Sequence, residues 1–223
     1  MVIKNLILQT IIPVIESAKY VSINKEQAKI FAGKLLPIEL PPWDHDLQLL
    51  STQEDTLQYY FFVDSINFCF WATKGKVRWG YMKNGVRLTG YYAFSYAIKK
   101  AVEAKPRLLS AEYLAKIPFD EFLEIFKDNG GLLLMKERHT IINENFSILS
   151  DFFGGKVSEL VRQANGNVNH LVQILLDKFP SFNDFVEFKS KRVYFLKRAQ
   201  LFCSDIFNAL GNEDLGRSAG GPA

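Results

Sequence analysis

The sequence contains few of the residues that metal, redox or disulfide chemistry requires. Its 223 residues include two cysteines, Cys69 and Cys203, and three histidines. The histidines share no spacing with acids or cysteines, so the pattern favours neither a zinc site nor a disulfide scaffold. Both cysteines lie in apolar runs. We therefore expect reduced, buried thiols in a cytoplasmic protein that uses no metal or other cofactor.

Long apolar runs and several well-known signatures are also missing. No apolar run reaches the roughly 18 residues that a membrane span needs, and no cleavage site follows the short N-terminal run NLILQTIIPVI. The G-x-x-x-x-G-K-[ST], G-x-S-x-G and H-E-x-x-H patterns do not occur. The net charge of +3 permits an anionic ligand. A nucleic-acid polymer usually requires a stronger basic stripe, so we expect no membrane and no stable nucleic-acid partner.

Aromatic side chains are abundant, and they indicate a packed core. They make up 14% of the residues, with 19 phenylalanines, which is a globular composition. Residues 1–35 predict two helices, the second capped by Ser22 or Asn24. A proline-rich connection follows at 36–43.

The remaining pattern predicts a mainly α fold with one small β-hairpin. Alternation on both sides of Lys83-Asn84-Gly85 places the hairpin near 76–90. From about 110 onward the spacing is helical throughout, with a stop signal at Gly154-Gly155. We predict a single mainly helical domain over 1–210. Residues 211–223 are expected to form a flexible tail or a cloning remnant.

The stretch FFVDSINFCFW, residues 61–71, combines polar and aromatic residues. Wound as a helix, it aligns Asp64, Asn67, Phe68 and Trp71 at i, i+3, i+4 and i+7 on one face. An acceptor, an amide and two rings suit a planar heterocycle, which offers edges to hydrogen-bond and faces to stack. The alternative is that Asp64 caps a helix and Asn67 is a satisfied core amide.

The last helical segment is the second candidate region. Lys197 and Gln200 lie in a polar row beside its apolar face, and Arg198 and Asp205 lie on another side, seven residues apart. Cations at a helix start can hold a phosphate, although a solvated basic face has the same pattern. Arg138, in the run Glu-Arg-His, either forms an ion pair at a helix start or reaches a pocket.

Several motifs occur in an order that resembles one family. They are VDSINFCFW, GYYAFSYAIKKA, KERHTIINE, FGG, FPSFND and KRVYFLKRAQL. In this order they resemble the queuosine salvage family, the queuosine 5'-phosphate N-glycosylase/hydrolases, over about Trp43 to Leu210.

The resemblance implies a helical fold similar to that of helix-hairpin-helix DNA glycosylases, acting on a mononucleotide. The implied activity is hydrolysis of the N-glycosidic bond of queuosine 5'-monophosphate, which releases queuine for reinsertion into tRNA. The family's lysine falls on Lys197, which we predict as the catalytic residue. Asp64, Asn67, Phe68, Trp71, Arg138, Arg198 and Gln200 are then predicted to bind the substrate.

The sequence departs from the family pattern at two places. Family members continue into a segment resembling F-A-D-Y-R, whose aspartate we take as a catalytic carboxylate, whereas GNEDLGRSAGGPA follows Leu210 here. Gln48 stands near the place of a frequent family histidine, with His45 nearby. We therefore expect a chain that lacks the family's C-terminal part. An alternative function is a non-catalytic or split nucleotide-binding module, with a C-terminal fragment as its partner.

Overall fold

The computed structural model describes residues 3–35, 46–127 and 131–210. The mainly helical prediction is confirmed, because helices account for most of these residues. None of the helices described is long and apolar enough to cross a membrane. The α-helices are α1 Ile3–Glu16, α2 Lys25–Leu35, α3 Gln53–Ser65, α4 Gly90–Ala104, α5 Ala111–Leu114, α6 Phe119–Ile125, α7 Met135–Phe153, α8 Val157–Gln163, α9 Val168–Lys178 and α10 Lys197–Leu210. The strands are β1 Gly80–Lys83, β2 Val86–Thr89, β3 Phe185–Phe188 and β4 Lys191–Tyr194, and Pro106–Leu109 and Pro180–Phe182 are 3-10 turns.

The chain divides into two compact units. The first comprises Met1–Asp44 with Phe185–Phe195, and the second comprises His45–Asp184 with Leu196–Ala223. The single domain over 1–210 stays a prediction. The tail at 211–223, the whole connection at 36–43 and His45 lie outside the described residues.

In the first unit, α1 packs beside the β3–β4 hairpin. The backbone N–H of Tyr194 donates to the hydroxyl of Thr10, at 3.1 Å. The helix α2 begins where the sequence predicts, since the Asn24 side chain accepts from the backbone N–H of Gln27 at 3.0 Å. This contact satisfies one of the free N–H groups that every helix start leaves.

In the second unit, the core surrounds α3. Its residues from Thr56 to Ser65 are all buried, because α10, α8, α7 and α4 pack around the helix. Phe61 is at the centre, and its ring lies 5.3–5.7 Å from four other phenylalanine rings, namely Phe146, Phe179, Phe182 and Phe202. This cluster holds α3 against α7, α9 and α10.

Two local signals of the sequence are confirmed. The β1–β2 hairpin turns at Asn84 and Gly85, with φ of 49° and 81°, in the left-handed region that these residues tolerate best. The helix α7 ends at Phe153, and the residue that caps it, Gly154, has φ of 58°. The N–H of Gly155 closes the end by donating to the carbonyl of Leu149 at 3.0 Å.

The expectation of helix throughout the C-terminal half is wrong between Phe185 and Tyr194. These residues form the second antiparallel hairpin, in which Phe185 pairs with Tyr194 and Phe188 with Lys191. Its turn residues Lys189 and Ser190 have φ of 50° and 61°. Neither is glycine or asparagine, so the sequence carries none of the usual hairpin signals.

The helix predicted through residue 71 is also shorter than expected. The helix α3 ends at Ser65, and the cap residue Ile66 has φ of −128° and donates to the carbonyl of Val63. Asn67, Phe68 and Trp71 therefore lie beyond the helix. The stripe at i, i+3, i+4 and i+7 does not form, and the positions of these side chains depend on the loop.

Replacing Phe61 with alanine tests the core. We expect Phe61→Ala to lower the free energy of unfolding by about 3–5 kcal/mol, because the cavity cannot collapse among four large rings. Urea denaturation followed by circular dichroism measures the change. Phe152→Ala is the matched control, since Phe152 is 58% exposed. A similar loss in both variants would contradict the central role of Phe61.

Candidate active site

The loop after α3 is held by three cationic side chains. The carbonyl groups of the five consecutive residues 65–69 each accept a hydrogen bond from an arginine or lysine side chain. In a longer helix these oxygens would accept from N–H groups one turn further along the chain. The side-chain donors therefore take the place of helical hydrogen bonds, which explains why α3 stops at Ser65.

Arg138, on α7, makes most of these contacts. Its guanidinium donates to the carbonyls of Ile66, Phe68 and Cys69, the last at 3.1 Å, and its Nε donates to Leu133 at 3.0 Å. The side chain is completely buried. Burial lowers the pKa of Arg138 to about 10, so the group stays charged at neutral pH. Its donors face the loop, and a substrate contact by Arg138 stays a prediction.

Arg198, near the start of α10, contacts the same loop from another element. Its Nη1 donates to the carbonyl of Ser65 at 2.7 Å, and its Nη2 donates to the carbonyl of Ser181. The guanidinium groups of Arg138 and Arg198 lie 4.4 and 5.1 Å from the centroid of the Phe68 ring. The ring predicted to stack on a base is therefore in contact with two arginines.

Asp64 and Asn67 come together although they do not share a helix. Asn67 Nδ2 donates to Asp64 Oδ1 at 3.1 Å, and both residues are buried. Asp64 Oδ2 is buried and has no hydrogen-bond partner within the part of the chain that the structure describes. Burial, followed by the charge of Asp205, raises the pKa of Asp64 well above its ordinary value, while Asn67 and Lys197 lower it.

Lys197 is the first residue of α10 and joins the loop to several acids. Its Nζ donates to the carbonyl of Asn67 at 2.8 Å, and its backbone N–H donates to Asp184 Oδ2 at 3.0 Å. Burial lowers the pKa of Lys197, whereas Asp64, Asp184 and Asp205 raise it. The predicted catalytic lysine thus lies beside Asn67 and within the electrostatic range of three carboxyls.

Two predicted residues lie apart from this cluster. Trp71 is 76% exposed, and its ring is 5.2 Å from the guanidinium of Arg78. Gln200 Nε2 donates to the carbonyl of Leu196 at 3.2 Å, inside its own helix. The roles of Trp71 and Gln200 in substrate binding stay predictions.

Three more residues complete the site, of which Gln48 and Asp205 are buried and Tyr91 is half-buried, and the sequence analysis did not assign them to it. Gln48 Nε2 donates to the hydroxyl of Tyr91 at 3.4 Å, and that hydroxyl donates to Asp205 Oδ2 at 3.1 Å. Burial raises the pKa of Asp205 to about 6, although Tyr91 and Lys197 lower it. One feature of the sequence could have indicated Asp205. It is an isolated acid in the apolar run LFCSDIF, and such an acid on a packed helix is often buried.

Among residues 3–35, 46–127 and 131–210, no three histidine, cysteine or acidic side chains are grouped as metal ligands. Fold and site together define a mainly helical protein with a polar site, in which two buried carboxyls and a buried amide lie near the more exposed Lys197.

Comparison with known proteins identifies the family. The profile of the family described as queuosine salvage protein matches residues 47–219. The queuosine 5'-phosphate N-glycosylase/hydrolase of Sphaerobacter thermophilus is 34% identical over 214 residues, covering 94% of this chain and 65% of that protein. The mouse protein of the same name is 32% identical over 205 residues, covering 88% of this chain and 61% of the relative. The chain belongs to the queuosine salvage protein family, and it spans less than two thirds of the length of these relatives.

Removal of the Arg138 guanidinium tests its role in the loop. We expect Arg138→Met to lower the free energy of unfolding by about 2–4 kcal/mol, because the buried carbonyls lose their donors. Urea denaturation measures the change. Arg162→Met is the control, since this arginine is exposed and pairs with Glu159; it should leave stability nearly unchanged. Equal effects of the two substitutions would contradict the proposed support of the loop.

The raised pKa of Asp205 predicts a pH-dependent stability. The native state binds this proton more tightly than the unfolded state, so this contribution to stability is lost as the pH rises from about 4 through about 6. We expect Asp205→Asn to gain stability relative to the wild type over this window, on the order of 2 kcal/mol. Urea unfolding at several pH values measures the difference. A constant difference across the window, as expected for the neutral control Ser204→Ala, would contradict the prediction.

Proposed function

We propose that this chain hydrolyses the N-glycosidic bond of queuosine 5'-monophosphate and releases queuine. Its family and the names of its relatives support the reaction. The observation that carries the proposal is the buried pair of Asp64 and Asn67, in which one carboxyl oxygen has no partner among the described residues. A buried polar atom without a partner is costly in a finished core, but it is expected where a ligand completes the site.

Base recognition fits this pair. Queuine is a 7-deazaguanine, so its ring has a guanine-like edge with N–H donors and an acceptor. Asp64 Oδ2 is available to that edge, and Asn67 holds the same carboxyl through Oδ1. Lys197 holds the backbone carbonyl of Asn67. The side-chain amide of Asn67 is therefore already in position before the substrate binds. Preorganised groups of this kind lose little entropy on binding.

We assign Lys197 to the support of the base-recognition pair of Asp64 and Asn67 rather than to binding of the 5'-phosphate. Three aspartates act on its charge, namely Asp64, Asp184 and Asp205. A phosphate placed there would meet these acids and lose much of the attraction of the lysine. Lys197 instead balances the carboxyls and holds the loop carbonyl, which keeps the recognition pair in place.

Hydrolysis requires a negative charge near the sugar. Cleavage of the N-glycosidic bond develops positive charge at C1', as in an oxocarbenium ion, and a carboxylate stabilises that charge. The 7-deaza base lacks the purine N7, so it is a poorer leaving group and depends more on donors to its remaining polar atoms. A buried site with two carboxyls supplies both an anion and a proton donor. We also propose that the reaction takes place in the cytoplasm, where Cys69 and Cys203 remain free thiols.

Incubation with queuosine 5'-monophosphate tests the function. We expect free queuine and ribose 5-phosphate, separated by liquid chromatography and identified by mass. Asp64→Asn should lower kcat/KM by about 100-fold or more, because it replaces an acid that contacts the base by an amide that cannot donate an acidic proton.

Asp151→Asn is the matched control, since Asp151 is exposed on α7. It should retain the wild-type rate. Calorimetric binding of the nucleotide without any release of queuine would favour a binding module instead. No release even from a longer version that carries the F-A-D-Y-R-like segment would remove the hydrolase proposal.

A further inference from the structure

We propose that Asp205 is a second functional carboxylate of this site, and that Tyr91, held by Gln48, is the residue that positions it. This inference deepens the proposed hydrolase function and rests on it. It assigns Asp205 the negative charge that faces the ribose, and it leaves the base edge to Asp64. A series of hydrogen bonds joins three parts of the fold here, namely the segment before α3, α4 and α10.

The segment before α3 is fixed to α4 by three successive residues. The carbonyl of Asp46 accepts from Lys99 at 3.0 Å, the carbonyl of Leu47 accepts from the Ser95 hydroxyl at 3.3 Å, and Gln48 donates to Tyr91 at 3.4 Å. Gln48 is 3% exposed although it lies outside any helix or strand. A buried glutamine that is tethered in this way has little freedom to leave Tyr91.

The direction of these hydrogen bonds follows from the groups that can donate them. The amide nitrogen of Gln48 can only donate, so the oxygen of Tyr91 accepts that bond and its proton is free to point to Asp205. Tyr91 Oη lies 3.1 Å from Asp205 Oδ2. Burial raises the pKa of Tyr91 far above its ordinary value, so the phenol keeps its proton. Tyr91 is therefore a permanent donor to one oxygen of Asp205.

The two carboxyls have unequal environments. Asp64 is completely buried, and its Oδ2 has no partner among the described residues. Asp205 has the Tyr91 hydroxyl and the field of Lys197, which both favour its anion. Each carboxyl disfavours ionisation of the other, and like charges in one buried site cannot both form easily. One proton is then held mainly by Asp64, and the negative charge by Asp205.

The groups that act on Asp205 come from three directions. Asp64 faces it from α3, Tyr91 from α4, and Lys197 from its own helix. The other elements packed on α10 are α9 and the turn Pro180–Phe182, and they contribute the buried apolar side chains Leu171, Val172, Leu175 and Phe182. The protonation of Asp205 is therefore set by its burial together with one acid, one phenol and one ammonium group.

This division of charge gives each carboxyl one step of the hydrolysis. The bond between C1' and the base nitrogen breaks, and its electron pair leaves with the base, which takes a proton from Asp64. Water forms the new bond to C1' and gives a proton to the Asp205 carboxylate. Transfer of that proton from Asp205 back to Asp64 restores the starting state. The sum is one water consumed, one queuine and one ribose 5-phosphate formed.

The pH dependence of the rate tests the positioning role of Tyr91. In Tyr91→Phe the ring and its packing remain, but Asp205 loses a donor that favours its anion. The acid limb of the kcat profile should move to higher pH by roughly one unit, with kcat reduced about 10-fold or more and KM changed less. Gln48→Leu should produce a smaller shift in the same direction. Tyr92→Phe is the control, since Tyr92 is 57% exposed, and its profile should match the wild type.

A second measurement does not depend on activity. Aspartate side chains labelled with 13C at Cγ report each titration by NMR, and Asp205→Asn identifies the signal of Asp205. We expect a midpoint near pH 6 for this signal in the wild type, as the pKa of about 6 indicates, and a higher midpoint in Tyr91→Phe. Unchanged midpoint and rate profile in Tyr91→Phe would overturn the positioning role.

The outcomes separate the two proposals. A folded Asp205→Asn variant with the wild-type rate would overturn the role of Asp205 and leave the hydrolase standing. A chain that binds the nucleotide but never releases queuine, even when it is extended through the F-A-D-Y-R-like segment, would overturn the hydrolase, while the NMR titration would still decide whether Tyr91 sets the protonation of Asp205. A large loss of rate in Asp205→Asn, together with the shift of the pH profile in Tyr91→Phe, supports both the hydrolase function and the roles of Asp205 and Tyr91.

Discussion

The site depends on the hydrogen bonds from three cations to the five carbonyls that follow α3. Carbonyl groups at a helix C-terminus carry partial negative charge and have no partners in the helix. Arg138, Lys197 and Arg198 supply these partners from α7 and α10. The loop has no regular hydrogen-bond pattern of its own. Its conformation is therefore determined by these three side chains. Asn67, at its centre, is placed by contacts from distant parts of the sequence.

The same cations reduce the free-energy cost of burying the acids. An isolated carboxylate in an apolar interior is very costly, and burial alone would keep it neutral. Burial opposes ionisation of Asp64 and Asp205, while Lys197 favours the anion of each. The buried acids are therefore neither fully protonated nor fully ionised. Such a cluster lowers stability above the ordinary titration range of the acids, and it keeps a proton and a negative charge available near neutral pH.

Local chemistry made part of this arrangement predictable. Asn84-Gly85 fixes the first hairpin, Gly154-Gly155 ends α7, and apolar spacing gives most helices. The end of α3 was not predictable, because residues 61–71 have a helix-compatible pattern and the groups that stop the helix are more than 70 residues away, on Arg138 and Arg198. The second hairpin was missed for a different reason, since its turn uses Lys189 and Ser190 in a left-handed conformation. Asp64 and Asn67 were chosen for a helical stripe that does not form, and Lys197 was chosen for its place in a family motif, and yet the fold brings the three residues close together.

Asp64 and Asp205 illustrate why residue type alone could not assign the roles. Both are single acids in strongly apolar helical runs, FFVDSINF and LFCSDIF, and both become buried because the surrounding residues form the core. The two acids differ in the polar group that each contacts. Asp64 meets an amide and keeps one oxygen without a partner, whereas Asp205 meets a phenol whose proton is directed by a tethered glutamine. Two carboxyls with different partners hold protons with different affinity, which is the condition for one to donate while the other accepts.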